Sequence, residues 1–96
     1  MLIRYLVTYD ITDENRLRKV YKTMRGYGDH IQYSVFICDL SDKEKIELIT
    51  VLSDLINNKE DQILIVDLGP SEKHGKKCIE TIGKAFTNPE RYVIVV

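Results

Sequence analysis

The stretch Leu2-Ile-Arg-Tyr-Leu-Val-Thr-Tyr9 decides the fold, because it is a run of β-branched, aromatic and mostly apolar residues. Such a run is typical of a strand in the middle of a sheet. Asp10 falls just past the C-terminal end of this run. Loops that follow buried strands are common places for ligand sites in α/β folds. We therefore expect a central first strand that carries Asp10 to one edge of the sheet.

A helix is predicted over residues 13–25, since apolar residues recur there at i, i+3, i+4 and i+7. Thr12 and Asp13 offer side-chain oxygens that can cap its first turn. The opposite side of this helix is basic and carries Arg16, Arg18, Lys19, Lys22 and Arg25. That side either follows the phosphates of a nucleic acid or is a solvated helix face.

The middle of the chain predicts one long strand and a second helix. Residues 30–40 are interpreted as a single extended strand with apolar side chains on both faces. Ser41 and Glu44 form a capping box, so a helix is expected over residues 42–57. Its broad apolar face is predicted to contain Ile46, Leu48, Ile49, Leu52, Leu55 and Ile56.

The last third of the chain predicts three strands. Residues 62–68 are expected to form a buried strand and residues 92–96 a final apolar strand. Residues 78–82 form either a short helix or a short strand, and the glycines at 75 and 83 favour the strand. Two helices on one face of a mostly antiparallel sheet would bury these stripes. The final apolar strand would need a neighbour, and a second copy of the chain is the obvious candidate.

Composition is that of an ordinary soluble globular chain, with 44% apolar and 30% charged residues among 96. A net charge of −1 excludes a protein that coats nucleic acid through bulk charge. No apolar run is long enough for a membrane span, and the N-terminus lacks the pattern of a signal peptide, so a cytoplasmic location is expected. Cys38 and Cys78 are interpreted as buried thiols rather than a disulfide or zinc site.

Asp10 is the candidate functional residue from position alone. A carboxylate at a strand end can hold Mg²⁺, which needs only one or two protein carboxylates besides water and phosphate oxygens. A two-fold axis near the strand end would supply a second Asp10. Alternatively, Asp10 satisfies N–H groups of the loop or the helix terminus. Tyr9 and Phe36 either stack on bases or belong to the core.

Three segments together resemble the CRISPR-associated protein two family: Tyr5-Leu-Val-Thr-Tyr-Asp-Ile-Thr-Asp13, Asn15-Arg-Leu-Arg-Lys-Val20 and Gly28-Asp-His-Ile-Gln-Tyr-Ser-Val-Phe36. The resemblance covers nearly the whole chain. It implies an α+β, ferredoxin-like βαββαβ sandwich with an extra C-terminal strand that pairs across a homodimer. Residues 1–96 would be one domain, with 78–96 as an extension at the dimer interface. On this pattern the strand at 30–40 would split near residue 33.

The resemblance also implies a site. Asp10 would face its twin across the dimer axis and bind Mg²⁺ or Mn²⁺ as the catalytic residue, and Tyr9, Arg16, Arg18 and Phe36 would position the nucleic acid. Position 30, often basic in the family, is His30 here. Family members are described as metal-dependent endonucleases acting on single-stranded RNA or double-stranded DNA during spacer acquisition.

Three functions follow as hypotheses. The first is a metal-dependent endonuclease that uses Asp10 from both copies. The second is a non-catalytic scaffold that bridges integrase subunits and binds protospacer duplex DNA, and the single carboxylate and the basic helix favour it. The third is a ferredoxin-like regulatory module for a small metabolite, which would have a ligand pocket rather than a basic face.

Overall fold

The computed structural model describes residues 1–73, 79–84 and 93–95, the last three by their backbone alone. Strands and helices follow one another along these residues, with a single 3₁₀ turn at Ser71–Lys73 after the fourth strand. The elements are β1 (Ile3–Asp10), α1 (Glu14–Arg25), β2 (Asp29–Gln32), β3 (Val35–Leu40), α2 (Asp42–Leu55), β4 (Gln62–Pro70), β5 (Ile79–Thr81) and β6 (Val93–Val95).

The four longer strands form one antiparallel sheet in the order β2-β3-β1-β4. This order, with a helix between β1 and β2 and another between β3 and β4, is the ferredoxin-like βαββαβ arrangement. The α+β fold expected from the sequence is therefore confirmed. β1 is central, as predicted, and its last residue is Asp10, which pairs with Gln62 of β4 instead of lying beyond the strand.

One face of the sheet packs against both helices. Tyr5, Val7 and Phe36 from the strands form a single buried cluster with side chains of α1 and α2, among them Val20, Met24, Leu48 and Leu52. Because successive side chains of a strand alternate between faces, the remaining strand residues point the other way. We call this second side the open face, and it carries Leu6, Ile37, Leu64, Val66 and Leu68.

The open face is only partly covered. Ile37 is fully buried there beneath Leu6, Leu68 and Ile79 of β5, whereas Leu64 and Val66 remain 51% and 43% exposed. The expectation that β4 is a buried strand is therefore wrong for this side, because a single copy of the chain provides nothing over Leu64 and Val66 in the residues described.

Two boundary predictions need correction. The single strand expected at 30–40 is a hairpin, in which Tyr33 and Ser34 form the turn between β2 and β3. The split implied by the family resemblance is thereby confirmed. The apolar alternation runs through the turn without a Gly or Pro, so the pattern alone did not reveal it. α2 ends at Leu55 rather than at residue 57, with Ile56 as its C-cap.

The apolar face predicted for α2 is also narrower than expected. Leu48 and Leu52 are its buried residues, and Ile46 and Ile49 are 66% and 41% exposed. Helical spacing groups all of these positions on one broad side of α2, but only the strip that contains Leu48 and Leu52 is covered.

The C-terminal region contains a second, smaller sheet. The predicted short strand is confirmed as β5, and β6 pairs with it in parallel. The expectations for Cys78 and the outer residues of 92–96 lie outside the described residues. Cys38 is buried and its thiol is free, as predicted. Among the helices described, none is long and apolar enough to cross a membrane.

Candidate functional site

Asp10 is exposed at the end of β1, on the open face side of the sheet. The helix-capping role considered for it belongs to other residues. Asp13 is the N-cap of α1 and accepts a hydrogen bond from the Arg16 backbone N–H at 2.9 Å. The backbone N–H of Thr12 donates to Asp61. Other carboxylates thus satisfy these two N–H groups at the start of α1, as the sequence predicted for Asp13.

The described residues contain no group of three or more His, Cys, Asp or Glu side chains that could hold a metal ion within one chain. A metal at Asp10 would therefore need further ligands from elsewhere, such as a second copy of the chain, water or phosphate oxygens. An exposed carboxylate suits Mg²⁺ and Mn²⁺, because hard ions prefer oxygen ligands.

Arg16 is engaged in the loop next to Asp10 rather than projecting freely from α1. Its Nε donates to Asp61 at 2.8 Å, and its Nη2 donates to Thr12 and Glu60 at 3.1 and 3.2 Å. Asp61 is 9% exposed and also accepts hydrogen bonds from the backbone N–H groups of Thr12 and Asn57. Arg16 therefore ties the β1–α1 loop to the α2–β4 loop.

The hydrogen bond from Arg16 is the main reason that the pKa of Asp61 lies well below its usual range. Sequence reasoning missed Asp61 because 45 residues separate it from Arg16 and no motif links them. The predicted contact of Arg16 with nucleic acid stays a prediction, and its observed contacts are structural.

Tyr9 and Phe36 belong to the core, which is the second of the two roles considered for them. They are 6% and 0% exposed, and their ring centroids lie 6.3 Å apart. Phe36 also contacts the rings of Tyr21 and His30, at 5.8 and 4.9 Å. Tyr9 and Phe36 can therefore affect a bound nucleic acid only by supporting the surface that contacts it or by lining a cavity that it enters.

Such a cavity exists at the N-terminal half of α1. We call it the aromatic pocket; its volume is about 290 Å³ and its lining includes Tyr9, Glu14, Arg18, Tyr21, His30 and Tyr33. Sequence reasoning missed Glu14, Tyr21 and Tyr33 as site residues. The spacing of Glu14, Arg18 and Tyr21 along one side of α1 was the signal that could have grouped them.

The remaining cations of α1 form an exposed surface, which we call the α1 basic face: Arg18, Lys19, Lys22 and Arg25. Arg25 lies over the Tyr21 ring, with 5.9 Å between the guanidinium carbon and the ring centroid. Arg18 belongs both to this face and to the aromatic pocket. The chain therefore combines a pocket, as expected for a metabolite-binding module, with a basic face, as expected for a nucleic-acid-binding protein.

Comparison with known proteins places these features in a family. The family model described as "CRISPR associated protein Cas2" matches residues 1–75. The chain is 42% identical over 92 residues to CRISPR-associated endoribonuclease Cas2 1 of Rhodospirillum rubrum, covering 96% of this chain and 89% of that protein. It is 39% identical over 92 residues to CRISPR-associated endoribonuclease Cas2 of Geobacter sulfurreducens, covering 96% of both chains.

Solved structures show the same likeness. The crystal structure of Streptococcus pyogenes Cas2 at pH 6.5 matches with a TM-score of 0.65 and 37% identity, over 69% of this chain and 86% of that one. A structure titled "Crystal structure of cas2" matches with a TM-score of 0.73 and 26% identity, over 98% and 100% of the two chains.

Proposed function

This chain belongs to the CRISPR-associated Cas2 family, and on that premise we propose that it is a metal-dependent endonuclease that acts as a homodimer in spacer acquisition. Support for RNA as a substrate comes from relatives such as those of R. rubrum and G. sulfurreducens, which are named endoribonucleases. The observation that carries the proposal is the position of Asp10 beside an apolar surface that the described residues leave half-exposed.

Strand alternation places Asp10 on the same side of the sheet as Leu64 and Val66, since Thr8 pairs with Leu64 and Leu6 pairs with Val66. A second copy packed on the open face would remove these two half-exposed side chains from water, which is favourable. A two-fold axis through that contact would bring the two Asp10 carboxylates towards each other.

In such a dimer the two Asp10 carboxylates would hold Mg²⁺ or Mn²⁺. When bound, the ion would stabilise charge on a phosphodiester and lower the pKa of a bound water. The chain's own contribution is positional. Asp61 and Arg16 hold the loop that follows Asp10, and the α1 basic face supplies cations for neighbouring phosphates.

The test is cleavage of single-stranded RNA and of duplex DNA by the purified protein in the presence of Mg²⁺. We expect Asp10→Asn to abolish cleavage, because the amide cannot supply the charge of a carboxylate ligand. Asp54→Asn is the matched control, since Asp54 is also an exposed acid but lies on α2. Cleavage that survives Asp10→Asn would count against a catalytic Asp10.

A scaffold that binds protospacer duplex DNA and bridges integrase subunits without cutting is the second candidate. The absence of a multi-ligand metal cluster among the described residues and the exposed α1 basic face favour it. Charge reversal at Arg18 and Lys22 should weaken duplex binding and reduce the salt slope by roughly 0.9 for each phosphate that the variant no longer neutralises. Lys43→Glu on α2 is the control, and equal affinities and slopes would contradict this role.

A further inference from the structure

One residue that lines the aromatic pocket, Tyr9, carries a buried polar group without a partner among the described residues. The Tyr9 side chain is among the buried residues, with 6% exposure for the whole residue, and its hydroxyl has no hydrogen-bond partner among the described residues. Buried hydroxyls nearly always have a partner, so an unpartnered one on a residue that lines a cavity points to a water or ligand that it meets there. Burial raises the pKa of Tyr9 to about 12, so the hydroxyl keeps its proton and can donate it.

The walls of the aromatic pocket are rings that a flat ligand can stack against. Tyr33 is 76% exposed at the tip of the β2–β3 turn, and its backbone carbonyl lies 3.4 Å from Nε2 of His30. The Tyr21 ring meets the His30 ring edge to face, with 5.2 Å between centroids. An exposed ring beside a half-buried cluster is the arrangement in which proteins stack unpaired bases.

Two charged side chains complete the aromatic pocket. Glu14 and Arg18 lie one turn apart on α1, and both line it. A carboxylate accepts hydrogen bonds from amino groups, as Glu does from the cytosine amino group in base recognition. Arg18 can pair with a phosphate, and it is continuous with the rest of the α1 basic face.

From these observations we propose that the aromatic pocket binds one unstacked nucleobase with an exocyclic amino group, taken from a single-stranded nucleic acid. Glu14 would accept from the amino group, the Tyr9 hydroxyl would meet another edge of the base, and Tyr33 would stack on its plane. A volume of about 290 Å³ lies at the lower end of small-molecule pockets, roughly 300–1,000 Å³, and suits one base.

This base-binding site goes beyond the endonuclease proposal and does not depend on it. The pocket lies on the helix side of the sheet, whereas Asp10 and the proposed dimer contact lie on the open face. A dimer formed through the open face would leave the pocket accessible. Base binding also needs no metal, so it can be measured in the presence of a chelator.

The experiment measures binding of the full chain, with EDTA present, to a short single-stranded uridine oligonucleotide and to the same oligonucleotide carrying one central cytidine. Wild type should prefer the cytidine oligonucleotide by about five-fold or more, since uracil lacks the amino group. Tyr33→Ala should weaken binding by about five-fold or more, because the base would no longer stack on a ring. Glu14→Gln and Tyr9→Phe should reduce the cytidine preference.

Matched controls exist for each change. Tyr5→Phe removes a hydroxyl from a residue that is as buried as Tyr9 on the same strand but does not line the pocket, and Leu64→Ala changes an exposed apolar residue on the other face. Both should bind as wild type. Tyr33 is exposed, so Tyr33→Ala should fold normally and keeps the test decisive even if Tyr9→Phe is destabilised.

Two results would overturn the proposal. One is that the wild-type protein binds the cytidine oligonucleotide and a version with an abasic residue in place of the cytidine equally tightly. That result would make a protein side chain the better candidate occupant of the aromatic pocket. The other is unchanged affinity and preference in Tyr33→Ala and Glu14→Gln. Asp10→Asn should retain the base preference, so loss of cleavage and loss of base binding remain separate outcomes.

Discussion

Asp61 shows how one buried carboxylate can organise the loops beneath a candidate site. It accepts hydrogen bonds from Arg16 and from the backbone N–H groups of Thr12 and Asn57, and the bond from Arg16 contributes most to its lowered pKa. In the unfolded chain an Asp titrates near pH ~3.9. Because the folded pKa is lower, Asp61 stabilises the fold above about pH 4 and loses this contribution as the pH falls further.

We therefore expect Asp61→Asn to lower the urea midpoint at neutral pH, because the amide is uncharged and accepts from fewer donors than a carboxylate. Below about pH 4 the wild-type midpoint should fall more steeply than that of the variant. Glu60→Gln is the control, since the Glu60 side chain is 57% exposed and also contacts Arg16. Parallel pH curves for wild type and Asp61→Asn would show that the contacts of Asp61 do not stabilise the fold.

Gly28, which lies between α1 and β2 along the chain, is required by its close packing against β3. A Cβ added there would overlap the carbonyl oxygen of Ile37 and lie 2.5 Å from the sulfur of Cys38. Gly28→Ala should therefore lower the free energy of unfolding by about 1–3 kcal/mol, the usual cost of overpacking, as measured by urea denaturation.

Gly26→Ala is the matched control for this effect. Its Cβ would lie 3.4 Å from the Thr23 carbonyl oxygen, and its φ of −79° suits any residue. If Gly28→Ala lowers stability no more than Gly26→Ala does, then movement of β3 relieves the crowding at Gly28. Overpacking would then not be the cause of the loss.

Single-residue features were predictable where the signal is local. The Asp13 cap and the terminal position of Asp10 follow from neighbours along the chain. The ion pair of Arg16 with Asp61 depends on two loops that only the fold brings together. Helical spacing alone therefore grouped Arg16 with the exposed cations of the α1 basic face. Tyr9 was named as a site residue, but the unpartnered hydroxyl that makes it informative is visible only in three dimensions.

At the scale of elements, α2 depends on its N-terminal capping box. The Ser41 hydroxyl accepts from the Glu44 backbone N–H at 3.2 Å, and the Glu44 carboxylate accepts from the Ser41 backbone N–H at 2.9 Å. Ser41→Ala should lower the free energy of unfolding by about 1 kcal/mol, because an N–H of the first turn loses its partner. Urea denaturation measures this loss.

Ser53→Ala provides the comparison, because Ser53 is an exposed residue in the same helix whose hydroxyl donates to the Ile49 carbonyl. Alanine is the better helix former at such a position, so stability should be unchanged or slightly higher. Equal losses in both variants would indicate that the hydroxyl of Ser41 has no capping role. In the capping box itself, the hydrogen bond from the Ser41 backbone N–H lowers the pKa of Glu44. The stability that this bond contributes should therefore fade in acid.

Element types were predictable because periodicity and caps are local, whereas extents depend on what covers each surface. The capping box and both helices were found from the sequence. The β2–β3 turn at Tyr33 and Ser34 was hidden because apolar alternation continues across it, and only the family pattern indicated the split. The exposure of Ile46 on α2 depends on where the sheet ends, which no helical spacing specifies.

For the whole molecule, the arrangement of two helices on one sheet face followed from the order of elements, and membership of the Cas2 family followed from motifs in three segments. Within one copy, the described residues cover only part of the open face. Leu64 and Val66 are half-exposed although their alternate neighbours Ile63 and Ile65 pack on the helix side. An apolar surface of this kind beside Asp10 is most simply explained by a second copy.

Leu64→Lys tests the proposed contact between two copies. A lysine there would bring a charge into an apolar interface, so we expect the dimer dissociation constant in sedimentation equilibrium to rise about ten-fold or more, which corresponds to ~1.4 kcal/mol. Ile46→Lys is the control, because Ile46 is 66% exposed on α2, away from the open face. Metal-dependent cleavage should fall with Leu64→Lys at concentrations where the variant is monomeric, because each Asp10 would lose its mate. A wild-type chain that cleaves as a monomer would refute the shared metal site. A Leu64→Lys dimer as tight as the wild-type dimer would show that the two copies do not meet through the open face beside Asp10, and would refute it as well.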